Sequence, residues 1–62
     1  MKDFEVRLYR ADGALTIIML TAANGLCEAE AAALDLLRGD IARGEIWQDE
    51  IRLTVVVPIS RG

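Results

Sequence analysis

The residues able to do chemistry are few, and Cys27 is the first of them. It stands near the start of an alanine- and leucine-rich stretch, and a helix N-terminus stabilises a thiolate. Glu28 and Glu30 beside it push the other way, and the chain has no histidine to take its proton. Cys27 therefore reads as a small, semi-buried apolar residue. Asp35, Asp40, Glu45, Asp49 and Glu50 are numerous enough to gather round a divalent ion. Their spacing matches no calcium loop, so they read as a solvated surface. Glu30 lies inside an apolar helical stripe between Leu26 and Leu34. A buried carboxylate there would have a raised pKa and a task, but no partner for acid–base work accompanies it. A first-turn position reaching free backbone amides or water is the preferred reading. Arg38-Gly39-Asp40 has the letters of an adhesion tripeptide but falls inside the helical stretch, where it reads as a chance match. Trp47 either anchors a partner or closes one end of the core, and the second is preferred. No glycine-rich phosphate loop, nucleophile elbow or Ser-His-Asp set is present. No catalytic, cofactor-binding or metal residue is therefore expected, and the chain reads as a non-enzyme.

Composition narrows the partners. Sixty-two residues make one small domain, 1–62. A chain of this size buries only about 60% of its unfolded surface, so small domains rely on disulfides, a metal or oligomerisation. One cysteine cannot close an internal disulfide, and without histidine the usual zinc sets are missing. Oligomerisation is the remaining route. Hydrophobic residues make up 53% of the chain, nine alanines included. Seven basic and ten acidic residues alternate without long runs, for a net charge of −3. This argues against a direct nucleic-acid surface, which normally shows a basic stripe. Asp3 and Glu5 stand where a secretory leader would be apolar, and no run approaches the ~18 residues of a membrane span. A cytoplasmic protein with no membrane partner is expected, and the free cysteine is compatible with that.

The elements that must position these residues begin with a hairpin over 4–21, closed at Asp12-Gly13 in a two-residue type I′ turn. Counting outward pairs Leu8 with Ile17, Val6 with Met19 and Phe4 with Thr21. The first strand, 1–10, alternates cleanly; the second, 14–22, is almost continuously apolar and is expected to be central. Helical spacing then runs over 24–43, with Asn24 as N-cap, Gly44 as the terminating residue and Gly39 as an internal flaw. Residues 45–50 read as a polar connection and 51–59 as a third strand, weakened by Pro58. The expected fold is α+β: ββαβ, a three-stranded sheet with one α-helix packed on one face. The second and third strands should run the same way through a crossover. Whether the third lies beside the second or the first is left open.

The order of elements, with Ala11-Asp12-Gly13-Ala14 at the hairpin tip and Glu28-Ala29-Glu30-Ala31-Ala32-Ala33-Leu34 in the helix, looks like the partial ribonuclease-H-like domain of HicB-type antitoxins. The resemblance is one of topology, over about residues 4–57. The proline- and glycine-containing loop that the family places before its helix is absent, as is a DNA-binding tail. It implies, as the alternative function, an antitoxin-like regulatory protein that binds a protein partner.

The preferred function is a non-enzymatic interaction module working as a homo-oligomer. Its core is expected to gather Phe4, Val6, Leu8, Leu15, Ile17, Met19, Leu34, Leu37, Leu53 and Val55. One helix covers one sheet face, so Tyr9, Ile18, Leu20 and Val56 are expected on the other, among Glu5, Arg7, Arg52 and Thr54. That uncovered face is the expected interface, with Glu5 and Arg7 as a rim.

Overall fold

Phe4, Val6 and Leu8 alternate with Glu5, Arg7 and Tyr9, and this period of two makes β1 (Lys2–Arg10) the inner strand that organises the sheet. A computed structural model describes residues 1–58 of the chain. After β1 come β2 (Leu15–Ala23), α1 (Leu26–Asp35), β3 (Ile41–Gln48) and β4 (Ile51–Val56). They form one antiparallel sheet in the order β2-β1-β3-β4. Both β2 and β3 run opposite to β1, so they run the same way as each other. The chain passes over β1 through α1, which packs against β2, β3 and β4.

The α+β class holds, but the three-stranded ββαβ arrangement does not. The fold is ββαββ with four strands, because residues 41–48 form β3 rather than the end of a helix and a loop. Strand β4 corresponds to the expected third strand and lies beside β3, next to neither β1 nor β2, and antiparallel to β2. Residue 59, its expected last position, lies outside the described residues. The helix stops at Asp35, with Leu36 as C-cap, and Gly39 then turns the chain at φ +60°. No glycine ends the helix; Gly39 makes the turn into β3, and Gly44 lies within that strand. At the other end Gly25 is the N-cap, its carbonyl accepting from the Ala29 amide at 3.1 Å. Asn24 instead donates from its side chain to Glu28 Oε2 at 3.2 Å.

The first hairpin keeps the expected register from Phe4↔Thr21 to Leu8↔Ile17. Its tip differs. The Gly13 amide donates to the Arg10 carbonyl and the Arg10 amide to the Ala14 carbonyl, each at 2.9 Å. This closes a three-residue loop, Ala11 to Gly13, with Gly13 at φ +91°. Asp12 Oδ1 accepts from the Ala14 amide at 2.9 Å, which favours this loop over a type I′ turn. One extra residue, Thr16, is absorbed as a bulge where Tyr9 pairs with Leu15.

The core lies between α1 and the sheet: Phe4, Val6, Leu8, Ala23, Ala29, Ala33, Ile46 and Val56. Leu26, Leu36, Leu37 and Ile41 are half-buried around it. Ala29 and Ala33 are fully buried because a short helix of small side chains sits close on the sheet. Leu15, Ile17, Met19, Leu34, Leu53 and Val55, expected inside, are exposed. Ile17 and Met19 are exposed because β2 is an edge strand, not the central one, and the ten-residue helix does not shield its length; Leu15 is exposed because the bulge at Thr16 turns it to the open face. For β4, pairing of Ile46 with Thr54 and of Glu45 with Val55 puts Thr54 and Val56 on the helix side and Val55 on the other. Among the described residues no helix is long and apolar enough to cross a membrane.

Candidate functional site

The sheet face away from α1 carries the chain's densest set of polar and aromatic side chains. Antiparallel pairing sets Tyr9 across from Arg43, Arg7 across from Glu45, and Glu5 across from Trp47. Opposed residues share a face, and diagonal neighbours lie within reach of long side chains. The contacts run along those diagonals, straight across, and between alternate residues of one strand. Glu45 Oε1 accepts from the Tyr9 hydroxyl at 3.1 Å and from Trp47 Nε1 at 3.0 Å. Glu45 Oε2 lies 3.6 Å from Arg43 Nη2 and 3.6 Å from Arg52 Nη1. The Arg7 guanidinium stacks 4.0 Å above the Trp47 ring, and that of Arg43 stacks 4.1 Å above Tyr9. Arg7 Nε also donates to Glu5 Oε2.

Glu45 is only 5% exposed although no helix covers it. The two aromatic rings and the guanidiniums shield it from water. Burial pushes its carboxyl up, but the Trp47 and Tyr9 hydrogen bonds and the charges of Arg43 and Arg52 outweigh this and hold it below the ordinary glutamate value. On Arg7, the hydrogen bond to Glu5 holds the proton more firmly than usual. Both oxygens of Glu45 are engaged and its charge is favoured. The cluster is an organised polar surface built around that carboxylate.

The four expected interface residues separate. Tyr9, Ile18 and Leu20 lie on this open face, Tyr9 half-buried under Arg43, Ile18 54% exposed and Leu20 73% exposed. Val56 lies on the opposite face, 6% exposed beneath the helix. Arg52 is on the open face and Thr54 on the helix side. The Glu5–Arg7 pair is satisfied within the chain rather than left as a free rim. Trp47 belongs to β3 and closes the open face, where loop residues had been expected. In the sequence Glu45 stands out only as one of several surface carboxylates. The signal for its setting was the alternation of Arg43, Glu45 and Trp47 with Ala42, Gly44 and Ile46, a period of two that runs straight through the expected helix end.

The remaining chemical candidates stay apart. Cys27 is exposed near the start of α1, not semi-buried. Glu30 is half-buried on α1. Arg38-Gly39-Asp40 forms the turn into β3, not a helical segment, with Arg38 Nε donating to the Asp35 carbonyl at 2.9 Å. Among the described residues no three carboxylate or thiol groups converge to hold a metal ion. Beside the network runs the apolar border of β2, where Leu15, Ile18 and Leu20 share the open face and Ile17 and Met19 the other. Comparison of the chain with protein-family models, curated proteins and solved structures finds no match.

Proposed function

We propose that this chain is a non-enzymatic protein–protein interaction module that works as a homo-oligomer through the β2 border of its sheet. The observation that carries this reading is the contrast between the strand's composition and its place. Leu15, Ile17, Ile18, Met19 and Leu20 form the most apolar run of the chain, yet each is between 38% and 73% exposed. A long, uncharged edge strand is a template for pairing and a hazard for a monomer. These ten side chains of two copies are each about half exposed, so burying what remains would release roughly 8–15 kcal/mol gross, half of the about 1.5–3 kcal/mol for each fully buried aliphatic side chain. Association costs about 4–15 kcal/mol, a range that overlaps the gain, so the reading is of a weak, exchanging oligomer. Light scattering across a concentration series tests the reading. A rise in mass towards twice the chain's 6.8 kDa supports it, and a constant monomer mass up to millimolar concentration rejects it.

A further inference from the structure

We propose that two copies join edge to edge through their β2 strands, antiparallel, about a two-fold axis beside Met19. This rests on the homo-oligomeric reading above and supplies its geometry. The sheet ends in β2 on one side and β4 on the other. Strand β4 has six residues, carries Arg52, and is bulged at Leu53 between its pairings with Ile46 and Trp47. Short length, a charge and a central bulge are the devices that blunt an edge. Strand β2 has nine residues, no ionisable side chain and no proline, and its bulge lies near the hairpin tip. Among the described residues no strand pairs with its outer edge.

Charge and register favour a second copy as the occupant. The chain carries a net charge of −3, and two copies repel wherever carboxylates meet. β2 carries no ionisable side chain, so two β2 borders meet without like charges, whereas two β4 borders would bring Arg52 of each copy together. The whole strand, Leu15–Ala23, is centred on Met19, and its regular pairing with β1 runs from Ile17 to Ala23. A two-fold axis there overlaps the strands fully and sets Ile18 against Leu20 of the second copy, twice, on the open side. On the helix side Met19 meets its own counterpart and Ile17 meets Thr21. The two most exposed large apolar residues of the strand thereby cover each other, as an isologous contact requires. The two four-stranded sheets become one of eight strands, with both helices on the same side. A single strand edge offers less than the ~800 Å² per partner of a standard interface, so the dimer should exchange with monomer.

Disulfide trapping tests the geometry. In a Cys27→Ser background, Met19→Cys puts two thiols opposite each other on the axis, within reach of a disulfide. Under mild oxidant, cross-linking should outrun that of Leu53→Cys on β4 by the ratio of effective concentration to Kd, roughly a hundredfold for about a millimolar effective concentration and a Kd near ten micromolar. The native chain supplies a second readout: hydrogen exchange of the β2 amides should slow as concentration rises, while that of β4 stays constant. If the native chain dimerises but Ile18→Cys cross-links fast and Met19→Cys does not, the sheets pack face to face and the edge geometry is overturned. If a charged heterologous protein but no second copy protects β2, the proposed occupant is wrong. A native chain that stays monomeric overturns the parent reading as well.

Discussion

The Tyr9 hydroxyl donates to Glu45 Oε1 at 3.1 Å, tying together two strands across 36 positions of sequence. With the Trp47 indole on the same oxygen and two arginines on the other, this bond holds an ionised carboxylate on a sheet face that no helix covers. The consequence is a pH dependence with a defined sign. A folded-state value below 4.5 stabilises the fold above that pH, because the unfolded chain binds the proton more readily. The contribution is lost as pH falls through the depressed value. Glu45→Gln keeps an acceptor for Tyr9 and Trp47 but loses the charge. It should be less stable than the native chain at pH 7, and the gap should narrow below pH 4.5. Urea melts at a series of pH values measure this; a gap that does not change with pH would remove the carboxylate from the account.

Removing the acceptor altogether has a different cost. Glu45→Ala leaves the Tyr9 hydroxyl and the Trp47 indole facing each other without a partner, at about 1–3 kcal/mol. The tryptophan reports on it directly: its fluorescence should shift on Glu45→Ala and hardly at all on Asp35→Ala, at the end of the helix on the other side of the sheet.

Gly44 sits across from Leu8, and a Cβ there would come 3.2 Å from Leu8 Cδ2 and 3.7 Å from Leu37 Cδ2. The glycine lets the chain beyond α1 settle on the β1–β3 ladder. Gly44→Val should overpack this spot and cost about 1–3 kcal/mol. Combining it with Leu8→Ala frees the volume required, so the pair should cost less than the sum of the single changes. Strict additivity in denaturant melts would show that the two side chains do not compete.

How far the residues disclose this fold depends on the element. The β1–β2 register is legible because Phe4, Val6 and Leu8 alternate with polar residues and a turn fixes the count. Strand β3 is obscured because Ala42, Arg43 and Gly44 are ordinary helix-end residues, and Gly44 imitates a helix terminator. Its identity lies in the alternating Arg43, Glu45 and Trp47. The place of β2 is the deeper misdirection. A nearly continuous apolar strand ordinarily means burial on both faces, and here it lies at an exposed edge. Val56 is misassigned for a local reason, since the Leu53 bulge changes which residues of β4 share a face.

The helix carries a related lesson. Ala33 is fully buried and Leu34 exposed, so the smaller residue is the one in the core. Ala33→Leu should therefore cost about 1–3 kcal/mol through overpacking. Leu34→Ala should change stability by less than about 1 kcal/mol, since an exposed position loses little and alanine favours helix. Thermal melts of the two variants would rotate the helix on its axis if the order came out reversed.

The tightest turn of the chain offers a gain in stability. Asp49 and Glu50 link β3 to β4, with Gln48 paired to Ile51, and both take positive φ, 53° and 67°. Two central residues of this kind make a type I′ turn, where asparagine or aspartate followed by glycine is favoured. Asp49 suits its position. Glu50 has no local hydrogen-bonding use for its long side chain, and a side chain in the left-handed region costs about 1–2 kcal/mol. Glycine removes that cost but gives back about 0.5–1 kcal/mol through the freer unfolded chain. Glu50→Gly should thus stabilise the fold by about 0.5–1 kcal/mol, raising Tm by about 2–8 °C in a domain of this size. Charge complicates the comparison, because Asp3, Glu5, Asp49 and Glu50 line one recess beside Trp47. Losing a carboxylate there relieves repulsion whatever the backbone does. Glu50→Gln separates the two effects: it removes the charge and keeps the side chain. If the glutamine variant gains as much as the glycine variant, the benefit is electrostatic and the backbone at Glu50 carries no strain.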